Sequence, residues 1–508
     1  MRTLLLGIDS GTQSTKVLVV DARTGRVIAA AAEEYELIAN LPPGAKEQHP
    51  HTWRDAAGAA IRRALRQAKA SAAEVQAIGV SGQQHGFVPL DKSGEVIRPA
   101  KLWCDTSTAP ECDEITEKLG GLKKTIRALG NAVLPGFTAS KILWLKKHEP
   151  KNYQRLAAVL LPHDYLNFWL TGQQTMEYGD ASGTALLDVR KRKWSSAVLQ
   201  AIDPELESKL PPLMSSDQPA GTLQASTAKQ LDLTPGILVS AGGGDNMMGA
   251  IGTGNTRAGV ITASFGTSGT IYACAEKPIV DPQGEIAAFC DSTNRWLPLL
   301  CTMNVTVATE MVREDFGWSH EKLAAEAARI PAGSNGLLLL PYFEGERTPN
   351  VPEGTGVWFG VNKKTFEAGH FARAAMEGVT LGMNYGLQRL AELGVKPAQI
   401  RATGGGAKSK IWRQIMADIF DAEVVTLKVS EGAAYGAALQ ALWCWRLQQG
   451  EKLAIGDITD QFVELNTDET ARPDRKSAEA YRELQAIQDG MSQALRGVFK
   501  MHRQFVLR

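Results

Sequence analysis

The sequence has few cysteines, no net charge and no long apolar run, and each shortage removes a class of function. Six cysteines in 508 residues (Cys104, Cys112, Cys274, Cys290, Cys301 and Cys444) form no C-x-x-C pair. They are too few to staple so long a chain, and a reduced, cytoplasmic compartment is expected. Lys plus Arg number 55 and Asp plus Glu number 55, so the formal net charge is zero. A general nucleic-acid binder needs a basic face to displace counterions from phosphates, and no surplus of base exists to build one. One local site on a neutral protein can still hold an anionic small molecule. Leu4-Leu5-Leu6 is too short for a signal-peptide core, and Leu156–Leu161 and Leu337–Pro341 fall far below the roughly 20 residues that span a bilayer. No membrane or nucleic-acid partner is expected. The chain also lacks a Walker-type lysine loop and any His/Cys cluster with metal-ligand spacing.

Apolar residues, at 44%, are present in ordinary measure and glycines, at 49, a little above it, enough for large cores and tight turns. Leu4–Ile8 reads as a buried strand, Asp9-Ser10-Gly11-Thr12 as a turn, and Lys16–Val20 and Val27–Ala31 as returning strands. Thr52-Trp53-Arg54-Asp55 looks like the cap of an Ala/Arg-rich helix, followed by a strand over Val75–Val80. Gly259–Ala263, the turn from Phe265 to Thr270, and Ile271–Ala275 repeat the opening strand–turn–strand pattern, which predicts an internal duplication. The fold class expected is α/β. From about Thr467 the chain turns polar and predicts a helical tail.

Four turns can carry chemistry. Asp9 through Thr12 offers backbone N–H groups and hydroxyls to phosphate and a carboxylate to a hydrated magnesium ion. Gly266-Thr267-Ser268-Gly269 offers a second phosphate contact. Gly242-Gly243-Gly244-Asp245-Asn246 follows the strand Ile237–Ser240 and places Asp245 at a strand's carboxyl end, where α/β proteins bind ligands. An ordinary carboxylate there, ionised at pH 7, can serve as a general base. Gly404-Gly405-Gly406 precedes a helix beginning near Lys410 and gives a flat base room to lie on backbone. His85, after Gln84 at a strand end, can meet a sugar hydroxyl, and Trp103 and Asp105 can supply a stacking face and a carboxylate.

These residues resemble the FGGY family of carbohydrate kinases. Gly136–His148 and Gly356–Gly378 each meet a long family signature, and the resemblance covers roughly residues 3–450. The stretches Ser81–Gly86, Leu102–Asp105, Leu161–Leu166 and Gly242–Asn246 are most similar to members that phosphorylate D-xylulose. Two departures set the chain apart from the bacterial members: Gln84 stands where Met is usual, and Thr106-Ser107 where Gly-Arg is usual. Another polyol or sugar acid (ribulose, ribitol, gluconate) therefore stays as an alternative, and so, because fold does not fix function, does a non-catalytic sugar sensor.

The resemblance implies two ribonuclease H-like (actin-like ATPase) domains facing each other across a cleft. It divides the chain into a sugar-binding domain over 1–254, a nucleotide-binding domain over 255–466 and a helical tail over 467–508. ATP and Mg2+ are the implied cofactors, a sugar and ATP the partners, and a homodimer is compatible with this reading. Asp245 and Asp9 would be catalytic, with Asp9 near magnesium through water. Gln84, His85, Trp103, Asp105 and Asn246 would contact the sugar. Gly11, Thr12, Gly266, Thr267, Gly405, Gly406, Ala407 and Lys410 would lie near the nucleotide.

Overall fold

A strand that reads Leu-Leu-Leu-Gly-Ile is apolar on both faces and has to be covered on both sides. In the structure, a computed structural model that describes residues 2–506, that strand is the centre of a seven-stranded sheet. It is β1 (Leu4–Ser10), followed by β2 (Ser14–Asp21), β3 (Val27–Glu34) and β4 (Val75–Gly82). Two further strands, β5 (Pro219–Thr222) and β6 (Leu238–Ser240), complete the order β5-β6-β4-β1-β2-β3, and the short Gly243–Gly244 segment also pairs with β4. β1 is antiparallel to β2 and parallel to β4.

Each face of the sheet is closed by a helix whose sequence suits it. The helix Pro50–Ala68 lays Ala57, Ala60, Ile61 and Ala64 into one core with Leu4, Leu6, Ile8, Val17 and Val19. It begins earlier than the expected Thr52 cap: His49 accepts from the His51 amide, and Pro50, which has no amide hydrogen to satisfy, occupies the first turn. The helix Gly432–Gln448, almost wholly apolar, packs on β1 and β4. Its approach is so close that a Cβ at Gly7 or Gly79 would run into the carbonyl oxygens of Ala434 or Ala437.

The chain forms two compact units, and they interleave. The first comprises 1–257, 274–298 and 431–463, and the second 258–273, 299–430 and 464–508. The sequence suggested contiguous segments, 1–254 and 255–466, with a packed or peripheral helical tail over 467–508. Residues 431–463 join the first unit instead because the Gly432–Gln448 helix fits the glycines of β1 and β4. The tail helix Arg475–Val506 belongs to the second unit: Tyr481 there donates to Glu377 (2.6 Å) and accepts from Arg373 (2.7 Å).

Taken by itself, the second unit repeats the topology of the first. β7 (Val260–Phe265) pairs antiparallel with β8 (Gly269–Ala273), which pairs antiparallel with the Leu299–Thr302 part of β9 (Trp296–Thr302). On its other side β7 is parallel to β10 (Gln399–Thr403), itself parallel to β11 (Glu423–Val425). The order β9-β8-β7-β10-β11 matches β3-β2-β1-β4-β6 in sequence and in direction. The duplication expected from two short hairpins thus extends over five strands. Among the described residues no helix is long and apolar enough to cross a membrane.

Candidate active site

Parallel strands deliver their carboxyl ends to one edge of a sheet, and loops leaving that edge meet in space. In the first unit Ser10 of β1 is level with Gly82 of β4, and Gly82 is level with Gly244. The segments that leave this edge are Gly11–Thr12, Gln83–His85 and Asp245–Asn246. Three motifs far apart in sequence therefore become one cluster.

The Asp9–Thr12 turn is held from several sides. Tyr35 donates to the Gly11 carbonyl (2.8 Å) and Gln48 to that of Thr12 (2.7 Å). The Trp103 indole donates to Thr12 Oγ1 (3.0 Å), which in turn donates to Gln83 Oε1 (3.2 Å). Asp9 is partly exposed, and Ser81 donates to its Oδ1 (2.8 Å). Burial raises its pKa above the ordinary carboxylate value, against the opposing pull of that hydrogen bond and of Lys16.

Asp245 opens the helix Asp245–Gly252, whose positive end favours a carboxylate. The Asn246 amide and side chain both donate to Asp245 Oδ1, at 2.7 and 3.0 Å. Asn246 Nδ2 also donates to Gln84 Oε1 (2.6 Å), and Gln84 Nε2 reaches Met247 Sδ (3.0 Å). Burial, reinforced by the Asp9 and Asp180 carboxylates, pushes Asp245 up to about 7. Sequence reasoning expected an untuned carboxylate; the neighbouring like charges come from β1 and from a distant helix, which no local pattern reveals.

His85 sits at φ 61°, in the left-handed region that non-glycine residues seldom occupy, and such positions cluster at functional sites. Its backbone is anchored: the carbonyl accepts from Thr138 Oγ1 and Lys141 Nζ, both at 3.1 Å, and the amide donates to Asp180 Oδ1 (3.3 Å). Its ring packs between Phe137 and Phe289, with centroids 5.0 and 5.3 Å away. Beneath it lies Gly183, where any Cβ would collide with the imidazole. Lys141 is fully buried, also donates to the Gly136 carbonyl (2.6 Å), and is brought down to about 7 by burial.

Sequence reasoning missed Lys141, Asp180 and Gly183 as parts of this cluster. Only Lys141 carried a signal, as the lysine inside the Gly136–His148 signature. Asp105 departs from expectation. It is fully buried, and its oxygens accept from the Lys46 amide (2.9 Å), Lys101 Nζ (3.2 Å), the Ser107 amide (3.0 Å) and Ser107 Oγ (2.5 Å). It ties loops together, and those four donors occupy the carboxylate expected to meet the sugar.

In the second unit the same geometry recurs. Ser264 of β7 is level with Thr403 of β10, so Gly266–Ser268 and Gly404–Gly406 leave neighbouring strand ends together. The Gly266 and Thr267 carbonyls accept from Thr306 (3.0 Å) and Val305 (2.9 Å), which leaves Thr267 at an exposed turn. Gly405 is exposed with no atom within 4 Å of a would-be Cβ, whereas Gly406 is wedged against Phe265 and Trp412. Ala407 is buried, and its carbonyl accepts from Arg413 Nη1 (2.8 Å). Lys410, exposed, begins the helix Lys410–Phe420 next to its Ser409 cap. Two glycine-bearing turns and a helix start make a phosphate- and base-compatible surface.

Family models for the N-terminal and C-terminal domains of the FGGY family of carbohydrate kinases match residues 4–252 and 261–445. The chain belongs to the FGGY family of carbohydrate kinases. Among curated proteins it is 42% identical over 485 residues to a xylulose kinase of Haemophilus influenzae, covering 94% of this chain and 97% of that protein. A xylulose kinase of Escherichia coli is 33% identical over 482 residues, with 94% and 96% covered. A solved structure described as a xyloylose kinase from Brucella ovis superimposes with a TM-score of 0.88 at 30% identity, covering 97% of this chain and all (100%) of that one. As an FGGY kinase this chain is an enzyme that phosphorylates a sugar with ATP, on a two-domain actin-like ATPase fold. The two FGGY signatures have structural work here: the first contains Lys141 under His85, and the second contains Arg373 and Glu377, whose buried ion pair (2.6 Å) receives the tail helix.

Proposed function

We propose that this FGGY kinase converts D-xylulose to D-xylulose 5-phosphate, in the cytoplasm. The observation that carries the choice of sugar is the near full-length likeness to the Haemophilus influenzae xylulose kinase, at 42% identity. Among the described residues the cysteines form no disulfide, which supports a reducing compartment.

In this reading the first unit (mainly 1–254) serves the sugar. Gln84, His85 and Asn246 bind its hydroxyls, with Trp103 bordering them, and Asp245 is the general base. The second unit (mainly 255–466) serves ATP. Gly266 and Thr267 meet phosphate oxygens, Gly405 and Gly406 lie beneath the base, and Ala407 and Lys410 border it. Gly11 and Thr12 present backbone and hydroxyl to the transferring phosphate. Asp9 suits a magnesium ion held through water, since its carboxylate is partly exposed and Ser81 engages Oδ1. Such an ion, when bound, neutralises charge on the transferring phosphoryl oxygens.

The transition state of phosphoryl transfer is loose, so positioning does most of the work. The attacking hydroxyl still has to lose its proton as the new P–O bond forms. Asp245 accepts it when deprotonated, its carboxylate aimed by the two Asn246 hydrogen bonds. A coupled ADP-release assay over D-xylulose, D-ribulose, ribitol and gluconate tests the reading. D-xylulose should give the highest kcat/KM; a higher value for another sugar overturns the substrate, and no stimulation by any sugar overturns the kinase assignment itself.

A further inference from the structure

The strand that leads to Asp245 is interrupted, and side chains from two helices hold the interruption. Val239 of β6 is level with Ile78 of β4, and Gly243 is level with Ser81. Three residues, Ser240, Ala241 and Gly242, therefore stand opposite two, Gly79 and Val80, which makes a bulge of one residue. Gly242 sits at φ 71°, in the region that favours glycine, and a Cβ there would strike the Val80 carbonyl oxygen. Its backbone groups fall between the two paired stretches.

One side chain takes both of those groups. The Gly242 amide donates to Gln440 Oε1 (2.9 Å), and Gln440 Nε2 donates to the Gly242 carbonyl (3.0 Å). Ser240 Oγ donates to the same Oε1 (2.9 Å). Beside it, Asn167 of the helix Pro162–Thr171 donates from Nδ2 to the Ala241 carbonyl (2.8 Å). Gln440, Asn167 and Ser240 are all wholly buried. A side-chain amide that donates and accepts at one residue does what a neighbouring strand would do, so the bulge keeps its hydrogen bonds away from the ladder. Gln440 lies on the Gly432–Gln448 helix, 198 residues along the chain from the glycine it clasps.

The consequence reaches the proposed base. Residues alternate in direction along a strand, so one residue more or less reverses the face that each following residue presents. Asp245 comes directly after Gly244, which is level with Gly82 only because the bulge takes up the extra residue. We propose that Gln440 is a positioning residue for phosphoryl transfer, clasping Gly242 so that the bulge persists and Asp245 stays beside the attacking hydroxyl. Asn167 supports the same bulge from the other helix. The inference rests on the reading that Asp245 is the general base. Gln440 touches neither sugar nor nucleotide in that reading; the backbone from Gly242 to Asp245 carries its effect. Without Gln440, two buried backbone groups lose their partner, and the turn regains one only by sliding toward a regular ladder or admitting water.

Gln440→Met keeps the length of the side chain and removes both hydrogen bonds to Gly242. The Gly242 amide should then exchange with solvent faster than in the wild type, read by hydrogen exchange on the full chain. Turnover with D-xylulose should fall about 10- to 100-fold, the upper figure being that for a misplacement of roughly 1 Å, with the KM for ATP unchanged. The deciding measurement is a double-mutant cycle with Asp245→Asn. Once the base is gone there is nothing left to aim, so adding Gln440→Met to Asp245→Asn should lower kcat by less than about 2-fold more. A merely structural Gln440 would lower kcat by the same factor in both backgrounds. If Gln440→Met does not fold, Gln440→Asn, whose amide is one methylene too short to reach both groups, goes through the same cycle with the same expectations. Unchanged exchange at Gly242, an unchanged kcat, or equal losses in the two backgrounds overturns the proposal. If instead Asp245→Asn by itself loses only a few-fold, the general-base reading fails, and with it the role of Gln440 in aiming the base, however fast Gly242 exchanges.

Discussion

Asp245 combines two properties that pull against each other, a raised pKa and a role that requires deprotonation. The base is active only as the carboxylate, so kcat/KM for the sugar should fall as pH drops through about 7, the value set by burial and by Asp9 and Asp180. Asp245→Asn keeps the shape and removes the basic oxygens; turnover should drop by about 10²- to 10⁴-fold, the range for a general base. A loss of only a few-fold in single-turnover kinetics would exclude Asp245 from that role. The same group affects stability with a definite sign. Its pKa is higher folded than unfolded, so its contribution is fully present below the unfolded value of about 4 and is lost as pH rises through about 7. Asp245→Asn should therefore raise the melting temperature more at pH 8 than at pH 5, measured by calorimetry. Gly183 gives a second test at this scale. A methyl group there collides with the His85 ring, so Gly183→Ala should weaken sugar affinity by displacing His85. An unchanged sugar KM would show that the ring's seat is not what the sugar senses.

At the scale of elements, the contact between the Gly432–Gln448 helix and β1 and β4 holds residues 431–463 in the first unit. Gly79→Ala inserts a methyl against the Ala437 carbonyl, and backbone cannot yield as a flexible side chain would. Overpacking of this kind costs about 1–3 kcal/mol. Urea titration should show that loss in the midpoint with an unchanged slope. A stability equal to the wild type would mean that helix and sheet are free to separate. In the second unit the tail helix Arg475–Val506 is joined through Tyr481 to the Arg373–Glu377 pair. The tail is polar, yet an amphipathic helix needs only one buried stripe, here including Ala478, Tyr481, Gln485, Gln488 and Ser492.

For the whole molecule, the repeated five-strand order places one set of strand-end loops in each unit, and the proposed division of labour follows. Substitutions should separate cleanly in steady-state kinetics. Gly405→Ala meets open space and a helical backbone geometry, so the fold should be unaffected while a methyl intrudes where the base would lie. Its KM for ATP should rise several-fold with the sugar KM unchanged. His85→Ala should do the reverse, raising the sugar KM by about 10- to 100-fold, equivalent to roughly 1–3 kcal/mol for an unpartnered polar group. If either substitution moves both constants equally, the division between units fails.

Much of this was written into the sequence. The strands β1, β2, β3 and β4, the repeated hairpin and the turns at Asp9, Asp245, Thr267 and Gly405 are local, because a strand and its turn depend on residues that are neighbours in the chain. The family, too, was legible in two contiguous signatures. What the sequence left open was set by long-range packing. It could not show that the 431–463 segment crosses to the first unit, since that depends on a helix fitting glycines more than 300 residues away. Nor could it show that Asp105 would be consumed by Lys46, Lys101 and Ser107, or that Asp245 would be raised by the fields of Asp9 and Asp180. The seat of His85 was hidden for the same reason: Lys141, Asp180 and Gly183 acquire their meaning only when three separate stretches converge on one ring. Chain connectivity determines turns and strands, whereas burial, charge and hydrogen-bond partners belong to the folded molecule, because water and the local dielectric are excluded only once the distant parts have come together.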